Sequence, residues 1–229
     1  MEIGGVWQCW KALLARYRRA WEQRQFRISL PLSILFFAAA IAANTLAGVY
    51  ATDVASNSVT DIILSNIPTF DVDGTLVWGV LVFVFIVLFL LLAYPERAPF
   101  TFIAIALFFL IRAVFVSLTH IGPYPDHAAI DSHSKLILLL WGGGDEFFSG
   151  HTGAPFMLAL VFWRHKWWRY FFLASSIFFG VMVLLAHWHY SIDVASAFFI
   201  TYAIYHIAIT FFPRERALFE GDALPPTAQ

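Results

Sequence analysis

Apolar stretches alternate with short polar breaks along the chain, and their lengths predict helices rather than strands. Apolar runs lie at about 28–50, 76–94, 100–119, 152–163, 170–187 and 190–212, close to the roughly 20 residues that a membrane-crossing helix needs. The fourth is short unless it extends back through Phe147 or forward into Trp163. The breaks are distinct: 95–99 holds Pro95 and Pro99, and 164–169 reads Arg-His-Lys-Trp-Trp-Arg. Ahead of the first run, Trp7, Trp10, Leu14, Tyr17 and Trp21 recur at helical spacing among basic residues. That pattern predicts an amphipathic helix lying on a membrane surface.

Composition supports the same picture. The chain is 60% hydrophobic and 13% charged, about half the charge share of a soluble globular domain. The expected fold is an all-α integral membrane protein with six transmembrane helices and an interfacial N-terminal helix. Its segments are a basic juxtamembrane stretch at 1–27, a catalytic domain at 28–213 and a tail at 214–229. Residues 1–27 lack the short apolar core and small-residue cleavage site of a secretory leader. The net charge of −1 offers nothing to nucleic acid, and the single cysteine, Cys9, excludes an internal disulfide and a cysteine-based metal site.

Charge placement sets the expected orientation. Of fourteen lysines and arginines, twelve fall on one side of the predicted spans: Lys11, Arg16, Arg18, Arg19, Arg24, Arg27, Arg97, Arg164, Lys166, Arg169, Arg214 and Arg216. The opposite loops, 51–75 and 120–150, hold only Lys135 against eight acidic residues. By the positive-inside rule both termini are cytoplasmic and the 120–150 loop is extracytoplasmic. The fourteenth basic residue, Arg112, lies in the outer half of the third run. His151 opens the fourth helix from the outer side and His189 the sixth, so this topology brings Arg112, His151, His189 and Asp193 to one depth.

Ionisable groups at membrane depth are costly and commonly functional. His189 and Asp193, four residues apart, are expected to share a helix face. The carboxylate then fixes one imidazole nitrogen and raises the nucleophilicity of the other. Such a histidine can attack phosphorus and form a phosphohistidine, while His151 protonates the leaving alkoxide and later deprotonates the incoming hydroxyl. Gly142, Gly143, Gly144, Ser149 and Gly150 let backbone N–H groups approach an anion at the start of a helix. Arg112 adds a forked donor for phosphate oxygens. Each fragment alone has an ordinary explanation, as a helix cap, a helical pair or a snorkelling arginine; their coincidence at one membrane face does not.

These residues resemble the sphingomyelin synthase family, a branch of the type-2 phosphatidic acid phosphatase superfamily. Gly144, Asp145, Ser149, Gly150, His151 and Thr152 match Gly-Asp-x-x-x-Ser-Gly-His-Thr, and Leu184 to Val194 match Leu-Leu-Ala-His-x-His-Tyr-x-x-Asp-Val. Leu118, Thr119, Pro123 and Pro125, and the first-loop residues Asp61, Asn66 and Pro68, are also similar. The resemblance implies a triad of His151, His189 and Asp193, with Arg112, Asp145, Ser149, Gly150, Thr152, His187 and Tyr190 binding phosphate or substrate. It implies transfer of a phosphocholine or phosphoethanolamine head group from a glycerophospholipid to a lipid alcohol such as ceramide, releasing diacylglycerol, with no metal or cofactor. The Lys-x6-Arg-Pro block of the broader superfamily is absent, and Val183 stands where its arginine precedes the second histidine. Both departures point to the synthase branch.

The remaining candidates carry less. His120, His127, Asp131 and His133 match no zinc spacing, and His187, two residues from His189, is expected to position the turn or the head group. His206 is expected to be a packed polar residue or a lining group, and His165 a member of a basic loop. A lipid phosphatase or phospholipase-C-like hydrolase using the same triad is the alternative activity, and a transporter is the distant one. The expected partners are donor and acceptor lipids in a bilayer. A bacterial cytoplasmic membrane, with the site on its extracytoplasmic side, is the expected location.

Overall fold

The computed structural model describes residues 3–128 and 147–221, and helices dominate them. The chain runs through α1 (Ile3–Glu22), α2 (Arg24–Asp53), α3 (Asp73–Ala93), α4 (Ala98–Leu118), α5 (Gly150–Val161), α6 (Lys166–Leu185), α7 (Ser191–Phe211) and α8 (Pro213–Glu220). Short 3₁₀ turns occupy Leu64–Asn66 and Pro95–Arg97. Each predicted apolar run coincides with one helix to within a few residues.

Among the described residues, five of the six helices expected to span are long and apolar enough to cross a membrane. The fourth run is the difference. It folds as α5, only 12 residues long, or about 18 Å at 1.5 Å per residue. Ser149 caps its start by accepting from the Thr152 N–H, and the chain turns away again at Phe162–His165, where the His165 N–H donates to Phe162 O. Both ends are therefore fixed by local hydrogen bonding, well short of the roughly 30 Å hydrocarbon thickness.

The centre of the bundle is α4, flanked by α2, α5 and α7. Phe100, Ala104, Ala106 and Phe108 of α4 are fully buried, as are Met157 and Ala159 of α5, Phe172 and Val183 of α6, and Ala197 of α7. Outward-facing residues such as Leu88, Phe89, Leu92, Phe199 and Phe211 are instead widely exposed. An apolar belt of that size calls for a bilayer around it, and the chain is an integral membrane protein. The surface helix α1 leaves Trp7, Trp10, Leu14 and Trp21 exposed. It is tied to the end of α3 by Tyr17, whose hydroxyl donates to Leu92 O at 3.0 Å, and by Arg16 over the Tyr94 ring at 4.3 Å.

Gly153 decides how closely α4, α5 and α7 approach. A Cβ there would stand 2.5 Å from Phe108 Cε2 and 2.9 Å from Thr201 Oγ1, and both neighbours are fully buried. Gly153→Ala should therefore lower stability by about 1–3 kcal/mol through overpacking, seen as a reduced Tm in detergent. Gly74→Ala, with nothing within 4 Å of the added methyl, should leave Tm at or slightly above the wild-type value.

Candidate active site

The polar residues of the apolar bundle gather at the end where α5 and α7 begin. His189 and Tyr190 lie in the turn between α6 and α7, and Tyr190 is the N-cap of α7. Asp193 sits three residues into the cap sequence, and its Oδ2 accepts from the Tyr190 N–H at 2.8 Å. The same oxygen is 3.7 Å from His189 Nδ1, about 0.7 Å beyond an ordinary hydrogen bond. The expectation that His189 and Asp193 pair along one helix face is thus corrected. His189 precedes the helix, and the two meet because the cap folds the turn back over the first carboxylate of α7.

His151 is brought to this pair by backbone. The Ser149 N–H donates to Asp193 O at 3.1 Å, joining the start of α5 to the start of α7. The His151 and His189 ring centroids are then 6.3 Å apart at an interplanar angle of 63°, and Trp188 lies beside His151 at 6.4 Å. Asp193 and His189 are buried, and His151 is half-buried. Two imidazoles and a carboxylate from different segments therefore share one enclosed region.

Arg112, also buried, lies against the first turn of α5. Its Nε donates to Phe148 O at 3.0 Å, and its Nη1 to Asn44 Oδ1 at 3.1 Å. The nearest side-chain atom to a Cβ placed on Gly150 would be Arg112 Nε, at 3.5 Å. The guanidinium is thus held where a helix start, with its positive dipole end, also favours an anion. Ser149 is fully buried and spends its hydroxyl on the Thr152 N–H. Among the described residues, the buried Thr152 hydroxyl has no hydrogen-bond partner and lies next to Gly180. Asp145, expected in the same glycine-rich stretch, lies outside the described residues, as do Asp131 and His133.

His187 takes a left-handed backbone conformation, φ 56°, so neither it nor His189 belongs to a regular helix, and both are buried. The Thr69 hydroxyl donates to Asp126 O at 2.5 Å. His187 Nδ1, 3.1 Å from Thr69 Oγ1, must then supply the proton of that contact. Its Nε2 is buried, with no hydrogen-bond partner among the described residues. Tyr190 is committed elsewhere: its hydroxyl donates to Gly122 O at 2.8 Å and accepts from the Val59 N–H at 3.2 Å. His120 bonds back to Ser117 O in the last turn of α4, and His127 to Tyr124 O within its own loop.

Asn44 and Asp61 hold functional groups in place without having been singled out as site residues. Asn44 was detectable as an amide within an apolar run. Asp61 Oδ2 accepts from both the N–H and the hydroxyl of Ser191, at 2.7 and 2.8 Å. Its Oδ1 accepts from the N–H groups of Ile63 and Leu64. Burial pushes this carboxyl up, but the bonds from Leu64, Ser191 and Ile63 outweigh it and hold the pKa below the usual value. The loop between α2 and α3 is thereby clamped to the residue that follows His189 and Tyr190.

Residues 142–210 match the family model described as PAP2 superfamily C-terminal. The matched segment contains His151, His187, His189 and Asp193; Arg112 and Asp61 lie before it. The match supports the type-2 phosphatidic acid phosphatase superfamily and an enzyme of the phosphoryl-transfer type acting on lipids. No curated protein and no solved structure matches the chain.

Removing the charge of the clamp tests its importance. Asp61→Asn should lower Tm by an amount equivalent to about 1.5–3 kcal/mol, the worth of hydrogen bonds to a charged group. Because the folded-state pKa is depressed, this stabilisation is fully present above the unfolded value near 3.9 and fades as pH falls through the folded one. The Tm gap between wild type and Asp61→Asn should therefore be constant near neutrality and narrow below about pH 4.

Proposed function

We propose that the protein is a lipid phosphotransferase of the sphingomyelin synthase type. In this reading it moves a phosphorylated head group from a glycerophospholipid to a lipid alcohol through a phosphohistidine on His189. The observation that carries the reading is the approach of His151, His189 and Asp193 at the joined starts of α5 and α7, beside the buried Arg112.

Asp193 holds the Nδ1 side of His189, which leaves Nε2 to attack phosphorus. As the N–P bond forms, the bond from phosphorus to the glycerol oxygen breaks, and His151 gives its proton to that oxygen, releasing diacylglycerol. In the second half His151, now neutral, takes the proton of the acceptor hydroxyl, whose oxygen attacks phosphorus and frees His189. Arg112 and the start of α5 stabilise the charge that grows on the phosphate oxygens. The buried, unpartnered Nε2 of His187 suits the hydroxyl of a lipid alcohol. Water in place of the alcohol would make the same triad a hydrolase, a reading that the superfamily match supports equally.

Purified protein should be incubated with head-group-labelled phosphatidylcholine, phosphatidylethanolamine or phosphatidylglycerol, with and without ceramide. Transfer predicts a labelled lipid product that needs the added alcohol; hydrolysis predicts diacylglycerol and a free phosphorylated head group. His189→Ala should lose at least about 10³-fold in turnover, and His151→Ala and Asp193→Asn about 10²–10⁴-fold each. Wild-type turnover in either His189→Ala or Asp193→Asn would overturn the assignment. Activity is expected to survive chelation with EDTA.

A further inference from the structure

At the opposite end of the bundle, a cavity of about 430 Å³ opens between the end of α5, the turn after it, α7 and α8. Its volume falls within the range of small-molecule sites. Its polar lining is concentrated in Arg164, His165, Tyr202, His206, Arg216 and Glu220. From Asp193 to His206 along α7 is about 20 Å at 1.5 Å per residue, so nothing bound here reaches the histidine pair.

Among the described residues, charge at this cavity is unbalanced. Glu220 carries two guanidiniums, Arg164 Nη1 on Oε2 at 2.9 Å and Arg216 Nε on Oε1 at 3.1 Å. Two positive charges meet one carboxylate, and Arg164 remains 68% exposed, with donors to spare. Arg97, with Glu96 beside it, lies over the ring of Phe219, another wall of the cavity, at 5.6 Å. An anion of charge −1 balances the pair of arginines.

Part of the cavity lining lies on the outward face of α7. Tyr202 and His206, one turn apart with ring centroids separated by 4.5 Å, are both exposed on α7. An imidazole on the outside of a span is unfavourable against acyl chains, and a polar head group lodged at the cavity mouth resolves this. Phe199 and Phe211, widely exposed on the same helix, provide apolar surface for the chains. We propose that this cavity is a second, non-reacting lipid site, which holds the anionic phosphate head group of a phospholipid from the leaflet opposite the histidines.

Native mass spectrometry of the purified full-length protein in micelles containing equal phosphatidylglycerol and phosphatidylcholine tests the site. Wild type should retain phosphatidylglycerol preferentially, and the double variant Arg164→Gln/Arg216→Gln should lose about tenfold of that preference. Glu220→Gln, which removes the competing carboxylate, should raise it severalfold. A preference unchanged in both variants belongs to another site and overturns the proposal, and Glu220→Gln decides alone if the double variant does not fold. A further arm uses soluble glycerol 1-phosphate: displacement of the lipid by it at equal concentration would show that a free phosphate is the ligand, and would overturn a lipid site. None of these readouts depends on turnover, so they stand apart from the test of His189.

Discussion

A carboxylate buried at the start of a membrane helix organises this molecule. Asp193 is 1% exposed, and leaving such a group without hydrogen bonds would cost several kcal/mol. Its side chain accepts from the cap of its own helix, and its carbonyl accepts from the N–H of Ser149. The first contact fixes the turn that carries His189; the second fixes the start of the helix that carries His151. Satisfying one buried residue therefore sets the relative positions of two histidines that are 38 residues apart in the chain.

The α2–α3 loop and the described part of the α4–α5 loop close over this arrangement with hydrogen bonds from and to side chains. Asp61 reaches Ser191, Tyr190 reaches Gly122 and Val59, Thr69 reaches Asp126 and His187, and Trp188 reaches Ala128. Each contact satisfies a polar group that the apolar surroundings would otherwise strand. Their joint effect is a roof that keeps water from His187 and His189, in line with the value of fixed donors in a dry site for phosphoryl transfer. Arg112 is placed by the same logic from below, through Phe148 and Asn44.

The two ends of the bundle are specialised. One gathers imidazoles, a carboxylate and a guanidinium around helix starts; the other gathers arginines, tyrosines and Glu220 around a helix end and the short α8. Between them α4, α5 and α7 are packed largely by phenylalanine, alanine and glycine, with Thr152 and Thr201 buried among them. Small residues such as Gly153 and Gly180 let the helices approach closely, which is how helices associate where lipid offers no hydrophobic drive between them.

The sequence by itself determined the helical, membrane-spanning class and the helix positions, and it nominated His151, His189, Asp193 and Arg112 for the candidate site. Apolar run length, lysine and arginine placement and the Ser149–Thr152 and His187–Asp193 motifs are local properties that survive in one dimension. Tertiary structure decided what depends on hydrogen-bond closure. The fourth run became a 12-residue helix because Ser149 and the turn at Phe162–His165 end it. His189 and Asp193 came to face each other through a helix cap instead of a helix stripe, because the left-handed His187 ends the preceding helix first. Asn44 and Asp61 took their places because a buried guanidinium and an exposed loop each needed a partner, and such partners are chosen by distance in space, which periodicity along a chain does not encode.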